Sequence, residues 1–182
     1  ERLESAVKKI LYAKYKSGLN SLKLIKIDNI IDDLNQDIDY ALLDKLAEES
    51  ITLVKNDNNN LPINTSDRQS IGYIKFGDDS HEIFIDYLNK HEQVDHISAD
   101  SILLKANLYD KIIVGLHKSD RSPFNDYKFT SEEISLINKI KNQTDLTLVI
   151  FSKPYSMLDI DITGIESILI AYQNSDIFQI KA

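Results

Sequence analysis

The sequence contains no cysteine. This absence excludes disulfide bonds, thiolate nucleophiles and metal sites that depend on cysteine ligands. Glycine is scarce as well. The five glycines form neither a Gly-x-Gly-x-x-Gly motif nor a P-loop, the two patterns in which backbone amides hold a pyrophosphate. We therefore predict no dinucleotide site and no cofactor.

A net positive charge and long apolar runs are also missing. The formal net charge is -8 at pH 7, whereas proteins that bind nucleic acids or anionic membranes need basic surface to neutralise phosphates. The longest apolar runs, residues 112–116 and 146–151, are far shorter than the roughly 18–20 residues that a membrane span requires. We expect no nucleic-acid partner and no membrane partner, and we interpret both runs as buried strands.

Histidine and serine do not form a recognisable catalytic or metal motif. No serine lies in a Gly-x-Ser-x-Gly pattern, and no two histidines have the spacing of metal ligands on a helix. We predict no metal site. His81 and His91 lie in or beside a charged helix and should face solvent. His96 falls in a short strand, where we expect a half-buried, hydrogen-bonded ring rather than a ligand.

The length and the two ends of the chain suggest how it is organised. Its 182 residues suffice for one domain with a real core and an attached segment. The chain starts inside a helical pattern without methionine and stops about one turn into another helix, so we expect a piece of a longer protein. Residues 1–36 are predicted to be a helix and connector, and residues 37–182 an α/β domain truncated at its C-terminal end.

The first segment has apolar residues at helical spacing up to Tyr15, followed by Gly18 where a left-handed cap would end a helix. Residues 22–27 resemble extended chain in their alternation, and residues 28–34 predict one or two helical turns. Asp37 is a suitable N-cap for the next amphipathic helix.

From residue 51 onward, short apolar strands alternate with helices. Strands that are continuously apolar and separated by helices indicate a mostly parallel sheet covered on both faces. We predict a three-layer α/β sandwich with roughly six strands. Thr130 with Glu133, and Asp79 with Glu82 as an acidic variant, are spaced as capping boxes at helix starts. The predicted strands cover residues 51–54, 71–76, 94–98, 111–116, 146–151 and 167–171.

The loop after the strand at residues 111–116 is the main candidate for binding. His117 follows this strand directly, and ligands bind at the carboxyl ends of the strands in parallel sheets. The loop contains basic, acidic and aromatic side chains suited to hydrogen-bonding and stacking a sugar. The predicted substrate-binding residues are His117, Lys118, Asp120 and Arg121. Because loops are polar in any case, a purely structural loop remains the alternative.

Two other loops follow strands at the same predicted edge. Asp78 or Asp79 has the chemistry of a general acid or base, but N-capping explains Asp79 without catalysis. In the second loop, Lys153 precedes Pro154, and the residue before a proline is driven into extended conformation. We expect this pair to lead the chain away from the sheet. No catalytic residue is predicted in either loop.

The segment from Glu48 to Ile63 resembles a known motif. It reads Glu-Glu-Ser-Ile-Thr-Leu-Val-Lys-Asn-Asp and, after three asparagines, Leu-Pro-Ile. It is similar to the opening signature of the C-terminal domain of family 3 glycoside hydrolases, Ala-x-x-Ser-x-x-Leu-Leu-Lys-Asn followed by a short spacer and Leu-Pro-Leu.

Three further segments resemble the same family in the same order. Residues 7–19 resemble the closing helix of its barrel domain. Residues 151–158 resemble the Phe-Gly-x-Pro-Tyr-x-Leu segment of its β-N-acetylglucosaminidase-like branch, with Ser152 in place of the glycine. Residues 168–173 with Gln179 resemble the strand and helix start that come next.

The resemblance implies the second domain of a two-domain retaining β-glycosidase. Residues 1–36 would then include the end of an N-terminal barrel domain, which would be a partner within the same chain and would carry the nucleophilic aspartate. The substrate would be a small saccharide. The family's acid/base residue is a glutamate of this domain in one branch and a barrel histidine in the other, and no residue here matches the glutamate's motif. The alternatives are a non-catalytic carbohydrate- or partner-binding module and an unrelated flavodoxin-like module.

Overall fold

The computed structural model describes residues 1–21, 23–24, 27–64 and 69–182. Leu22 and Ile25, which belong to the predicted extended connector, lie outside the described residues. The chain divides into two compact units, Glu1–Tyr40 and Ala41–Ala182, whereas the sequence pattern suggested a boundary between residues 36 and 37. No helix in the described part of the chain is long and apolar enough to cross a membrane.

The first unit is helical. It contains α1 (Arg2–Lys16) and α2 (Ile30–Leu34), as the apolar spacing predicted. Gly18 follows α1 with a φ of 75°, a left-handed conformation that glycine adopts without strain. No residue of α1 is buried, although Leu3, Val7 and Leu11 share its apolar face.

The next helix, α3 (Asp37–Ser50), begins earlier than the sequence suggested. Asp37 is already its first helical residue, so the prediction that Asp37 is the N-cap is wrong. The side chain of Asp39 instead accepts a hydrogen bond from the backbone N–H of Gln36 at 3.0 Å. A carboxylate inside the first turn can reach back to the start of a helix, as in a capping box.

The second unit is a three-layer α/β sandwich, as predicted. Its six strands are arranged in the order β1-β6-β5-β4-β2-β3, and every neighbouring pair is parallel except β1 with β6. The elements that follow α3 are β1 (Thr52–Asn56), β2 (Ile71–Gly77), α4 (Glu82–Leu88), β3 (Val94–His96), α5 (Ile102–Lys105), β4 (Lys111–His117), α6 (Ser131–Ile140), β5 (Asp145–Phe151), β6 (Ser167–Ile170) and α7 (Asp176–Lys181).

Helices cover both faces of the sheet, which explains the apolar runs. In β4, Val114 points into the cluster of buried side chains that includes residues of α5 and α6. Its neighbour Ile113 belongs to the second cluster, which includes residues of α3, α4 and α7. All seven residues of β4 are buried. A strand buried on both faces has no polar alternation, because neither face meets water.

The two capping boxes have different outcomes. The side-chain oxygen of Thr130 accepts from the N–H of Glu133 at 3.1 Å, and a carboxylate oxygen of Glu133 accepts from the N–H of Thr130 at 2.8 Å, which confirms the predicted start of α6. The prediction for Asp79 is wrong. α4 begins only at Glu82 with His81 as its N-cap, and Asp79 accepts a hydrogen bond from Ser80 instead.

An Asp/Asn turn follows β1 and is anchored at the amino edge of the parallel strands. Asn58 and Asn59 have φ values of 56° and 55°, the left-handed conformation that asparagine tolerates. Next to them, the amide of Asn60 donates to Thr147 and Ser167. The ammonium of the buried Lys111 donates to the backbone and side-chain oxygens of Asn60. This network explains why polar residues of this edge are buried.

Candidate functional site

The carboxyl ends of the parallel strands lie side by side and position the loops that follow them. Gly77 at the end of β2 pairs with His117 at the end of β4, and His117 pairs with Phe151 at the end of β5. This is the edge at which parallel sheets bind ligands. The predicted loops therefore do meet at one edge, although their side chains have different roles.

His117 lies inside the sheet layer rather than in the loop. Its side chain is fully buried, and its ring stacks on Phe151 with the centroids 4.5 Å apart. The Nε2 atom is 2.8 Å from the hydroxyl oxygen of Tyr73, and the Nδ1 atom is 2.7 Å from the side-chain oxygen of Asn174. Both ring nitrogens are thus occupied, and direct contact of His117 with a substrate finds no support in this geometry.

The partners of His117 determine its tautomer. The side-chain oxygen of Asn174 can only accept, so Nδ1 must carry the proton and donate it. The same oxygen also accepts from the amide of Gln179, and the amide nitrogen of Asn174 donates to the carbonyl of Ser80, which fixes its orientation. Nε2 then carries no proton, and its lone pair accepts the hydrogen bond that the Tyr73 hydroxyl donates.

Burial keeps this pair neutral. Desolvation lowers the pKa of His117 to about 4, and it raises the pKa of the Tyr73 phenol above its usual value of 10.0. At neutral pH the imidazole is therefore unprotonated and the phenol protonated, in agreement with the hydrogen bond between them. His117 and Tyr73 form a structural link between β4 and β2.

The other histidines are arranged differently from the prediction. The ring of His81 stacks on Tyr73 with the centroids 5.6 Å apart, and only 15% of its side chain is exposed. The expectation that His81 faces solvent is wrong, because the position before α4 turns its side chain onto the sheet. Burial lowers its pKa. His96 is exposed rather than half-buried, whereas His91 is exposed as predicted.

The loop after β2 connects the strand ends through its backbone. Gly77 has a φ of 86°, and an added Cβ would lie 2.1 Å from the carbonyl oxygen of His117. The N–H of Asp79 donates to the same carbonyl at 3.1 Å. The glycine is therefore required for the close approach of two loops. Within the described residues, no group of three or more histidines and carboxylates can hold a metal ion.

The loop after β4 begins with a nearly buried lysine. Lys118 is only 7% exposed, whereas Asp120 and Arg121 are exposed. The amide of Asn125 donates to the carbonyl of Ser119 at 3.1 Å and closes the loop onto itself. Of the predicted binding residues, Lys118 and Asp120 line one cavity.

This cavity has a volume of about 270 Å³ and lies where the loops after β4, β5 and β6 meet. Tyr172, which follows β6, also lines the cavity. Its φ of 65° is unusual for a non-glycine residue. Lys153 adopts extended conformation before the 3₁₀ turn at Pro154–Asp159, so the predicted departure from the sheet is confirmed. The lining residues are Lys118, Ser119, Asp120, Ser122, Pro123, Asn125, Tyr127, Ser152, Lys153 and Tyr172.

Sequence patterns did not single out Tyr73, Asn174 or Tyr172. Tyr73 sits inside an apolar strand, where an aromatic residue normally indicates only core packing. Asn174 lies 57 positions from His117, and no local spacing relates them. The left-handed backbone at Tyr172 is not indicated locally either, because its sequence neighbours are not turn residues.

Comparison with known proteins supports the resemblance seen in the motifs. No protein-family model matches the chain. A β-xylosidase from Formosa agariphila is 40% identical over 80 residues, which make up 44% of this chain and 11% of that protein.

The similarity to solved structures extends over nearly the whole chain. A β-glucoside phosphorylase superimposes with a TM-score of 0.66 and 18% identity over 98% of this chain and 35% of its own. A family 3 β-N-acetylglucosaminidase from a Paenibacillus species does so with a TM-score of 0.62 and 14% identity over 100% of this chain and 36% of its own. This chain therefore spans about a third of these two proteins.

Identities this low show the fold alone, but the fold, the local identity to the β-xylosidase and the order of the motifs agree. The motifs had indicated a mostly parallel α/β domain, and the observed strand order with its antiparallel β1 agrees with that indication. The chain is therefore similar to these proteins, and its α/β fold matches that of C-terminal domains of family 3 glycoside hydrolases, as the resemblance implied.

Proposed function

We propose that this chain is the C-terminal domain of a retaining β-glycoside hydrolase of the β-N-acetylhexosaminidase or β-glucosidase type. The observation that carries the proposal is the share of a related enzyme's length that this chain matches. The whole of this chain matches about a third of a family 3 β-N-acetylglucosaminidase, which leaves room in such a protein for a separate catalytic domain. The nucleophilic aspartate would lie on that N-terminal barrel domain.

The geometry favours a supporting role for this domain. Retaining hydrolysis needs a carboxylate nucleophile and an acid/base group on opposite sides of the glycosidic bond. His117 has no free nitrogen, and Asp79 bonds its own loop through Ser80. The chemical step is therefore assigned to the barrel, and this domain contributes packing and part of the cleft.

The cleft contribution comes from the loop that begins at Lys118. Lys118 and Asp120 line the cavity at the carboxyl edge, and the neighbouring Arg121 is exposed. Their ammonium, carboxylate and guanidinium groups are suited to hydrogen-bonding sugar hydroxyls. His117 would act indirectly, because its bonds to Tyr73 and Asn174 hold the strand end from which the loop departs.

The barrel domain would also account for the apolar face of α1. Leu3, Val7 and Leu11 are 78%, 46% and 60% exposed, and isolated helices in water rarely hold such a face without a partner. Burial of these side chains against the preceding domain would stabilise both.

The test is an activity assay of the protein that contains this domain together with the barrel. We expect hydrolysis of a chromogenic β-N-acetylglucosaminide or β-glucoside, and no hydrolysis by the 182-residue chain alone. A chromogenic β-xyloside completes the substrate set, because a relative is a β-xylosidase. If the two-domain protein hydrolyses none of these substrates, the proposal is overturned in favour of a non-catalytic binding module.

A further inference from the structure

One lysine that lines the cavity at the carboxyl edge has no side-chain partner among the described residues. Lys118 is only 7% exposed, so the remaining 93% of its surface is buried. It makes no side-chain hydrogen bond or ion pair with any residue that the structure describes. Gln69 and Ser156 carry the only described side-chain polar atoms that are both enclosed and unpartnered. The ammonium of Lys118 is not one of these enclosed atoms, so it keeps some contact with solvent, and Lys118 lines the cavity.

We propose that this cavity binds the anionic group of an acidic saccharide, either a carboxylate or a phosphate. A charge that keeps only part of its contact with water is stabilised when an opposite charge and hydrogen bonds replace the lost water. No carboxylate of the described chain supplies that charge to Lys118. A bound anion would supply it and would form a charge-assisted hydrogen bond, which is among the strong ones.

The surroundings of Lys118 favour an anion over a neutral sugar. A second ammonium, that of Lys153, lies 5.2 Å from the ring centroid of Tyr127, and both residues line the same cavity. Asp120 is the one acidic residue among the lining side chains. Two cations against one carboxylate leave this cavity positive in a chain whose net charge is -8.

Size and hydrogen-bonding groups suit one sugar unit. The volume of about 270 Å³ lies just below the range of about 300–1,000 Å³ that is usual for small-molecule sites. Ser152 and Tyr172 bring hydroxyl groups to the wall, although these also bond to the carbonyl of Tyr127 and to Thr52. This inference deepens the proposed function and rests on it, because it names the charge of the ligand that the same cleft would take.

Calorimetric titration of the 182-residue chain at low ionic strength tests the inference. The ligands are D-glucuronate for a carboxylate, glucose 6-phosphate for a phosphate, and D-glucose as the neutral control. We expect at least one anionic sugar to bind about tenfold more tightly than glucose or better, since a hydrogen bond to a charged group is worth about that factor. Added salt should weaken the binding.

Three variants assign the effect to Lys118. Lys118→Met keeps the length of the side chain and removes its charge, so the preference for the anionic sugar should fall about tenfold. Lys118→Arg should retain it. Lys105→Met removes an exposed charge from α5 and should change nothing.

Equal binding of all three sugars would overturn the inference, and so would an anion preference that survives in a folded Lys118→Met chain. Hydrolysis of neutral glycosides by the two-domain protein would then still support the proposed function. Conversely, anion binding in a protein without hydrolytic activity would refute the proposed hydrolase function and leave the anion-binding inference standing.

Discussion

Acid should destabilise this domain through the buried imidazole of His117. Burial lowers the pKa of His117 in the folded chain to about 4 from an ordinary value of 6.5. The unfolded chain therefore binds a proton more readily than the folded one below pH 6.5. The contribution of His117 to stability is complete above pH 6.5 and is progressively lost as the pH falls from 6.5 to about 4.

The size of the effect follows from the two pKa values. At pH 5 the unfolded imidazole is almost fully protonated, whereas the folded one, with a pKa of about 4, is still mostly neutral. The difference corresponds to about 1.5 pH units, or about 2 kcal/mol at 1.36 kcal/mol per unit. The burial of His81, whose pKa is also lowered, should add to this loss with the same sign.

Urea unfolding of the chain at several pH values between 8 and 5 measures the effect. The free energy of unfolding of the unmodified chain should fall by at least about 2 kcal/mol over this range. In His117→Gln, which has no titrating ring, the fall should be smaller by about that amount, although the variant is less stable at every pH. His91→Gln removes an exposed histidine and should keep the full pH dependence.

Parallel stability curves for the unmodified chain and His117→Gln would refute this reasoning. A direct measurement does not depend on the variant: the imidazole carbon shifts of His117, followed by NMR, should remain those of a neutral ring through pH 6. An imidazole of His117 that titrates near 6.5 in the folded chain would show that its bonds to Tyr73 and Asn174 do not keep it neutral.

Two further substitutions test the local structure. Gly77→Ala places a Cβ 2.1 Å from the carbonyl oxygen of His117 at a positive φ, so we expect thermal unfolding to show a loss of at least about 2 kcal/mol. Gly164→Ala, also at positive φ but with no atom closer than 3.8 Å, should lose only about 1 kcal/mol, and equal losses would contradict the steric argument. Thr130→Ala removes the N-cap of α6 and should cost about 1 kcal/mol in urea unfolding. Thr130→Ser should retain most of that stability.

Much of the fold was predictable because its signals are local. β4 and β5 are buried on both faces, so their apolar runs indicated central parallel strands. Thr130 and Glu133 satisfy each other within one helical turn, and their spacing alone predicted the start of α6. Asp79 had the same spacing to Glu82, but α4 begins only at Glu82, and His81 before it stacks on Tyr73, a contact that no local pattern expresses.

The candidate site also has features that the sequence predicts and features that depend on the tertiary structure. The sequence by itself determined that a polar loop follows β4 at the edge where ligands bind, because parallel strands run in the same direction and their carboxyl ends share one edge. Only the tertiary structure decided that His117 is enclosed between Tyr73 and Asn174. It also decided that Lys118 is nearly buried without an ion pair to any residue that the structure describes. Both outcomes depend on residues distant in sequence, and burial is a property of all the elements that surround a side chain.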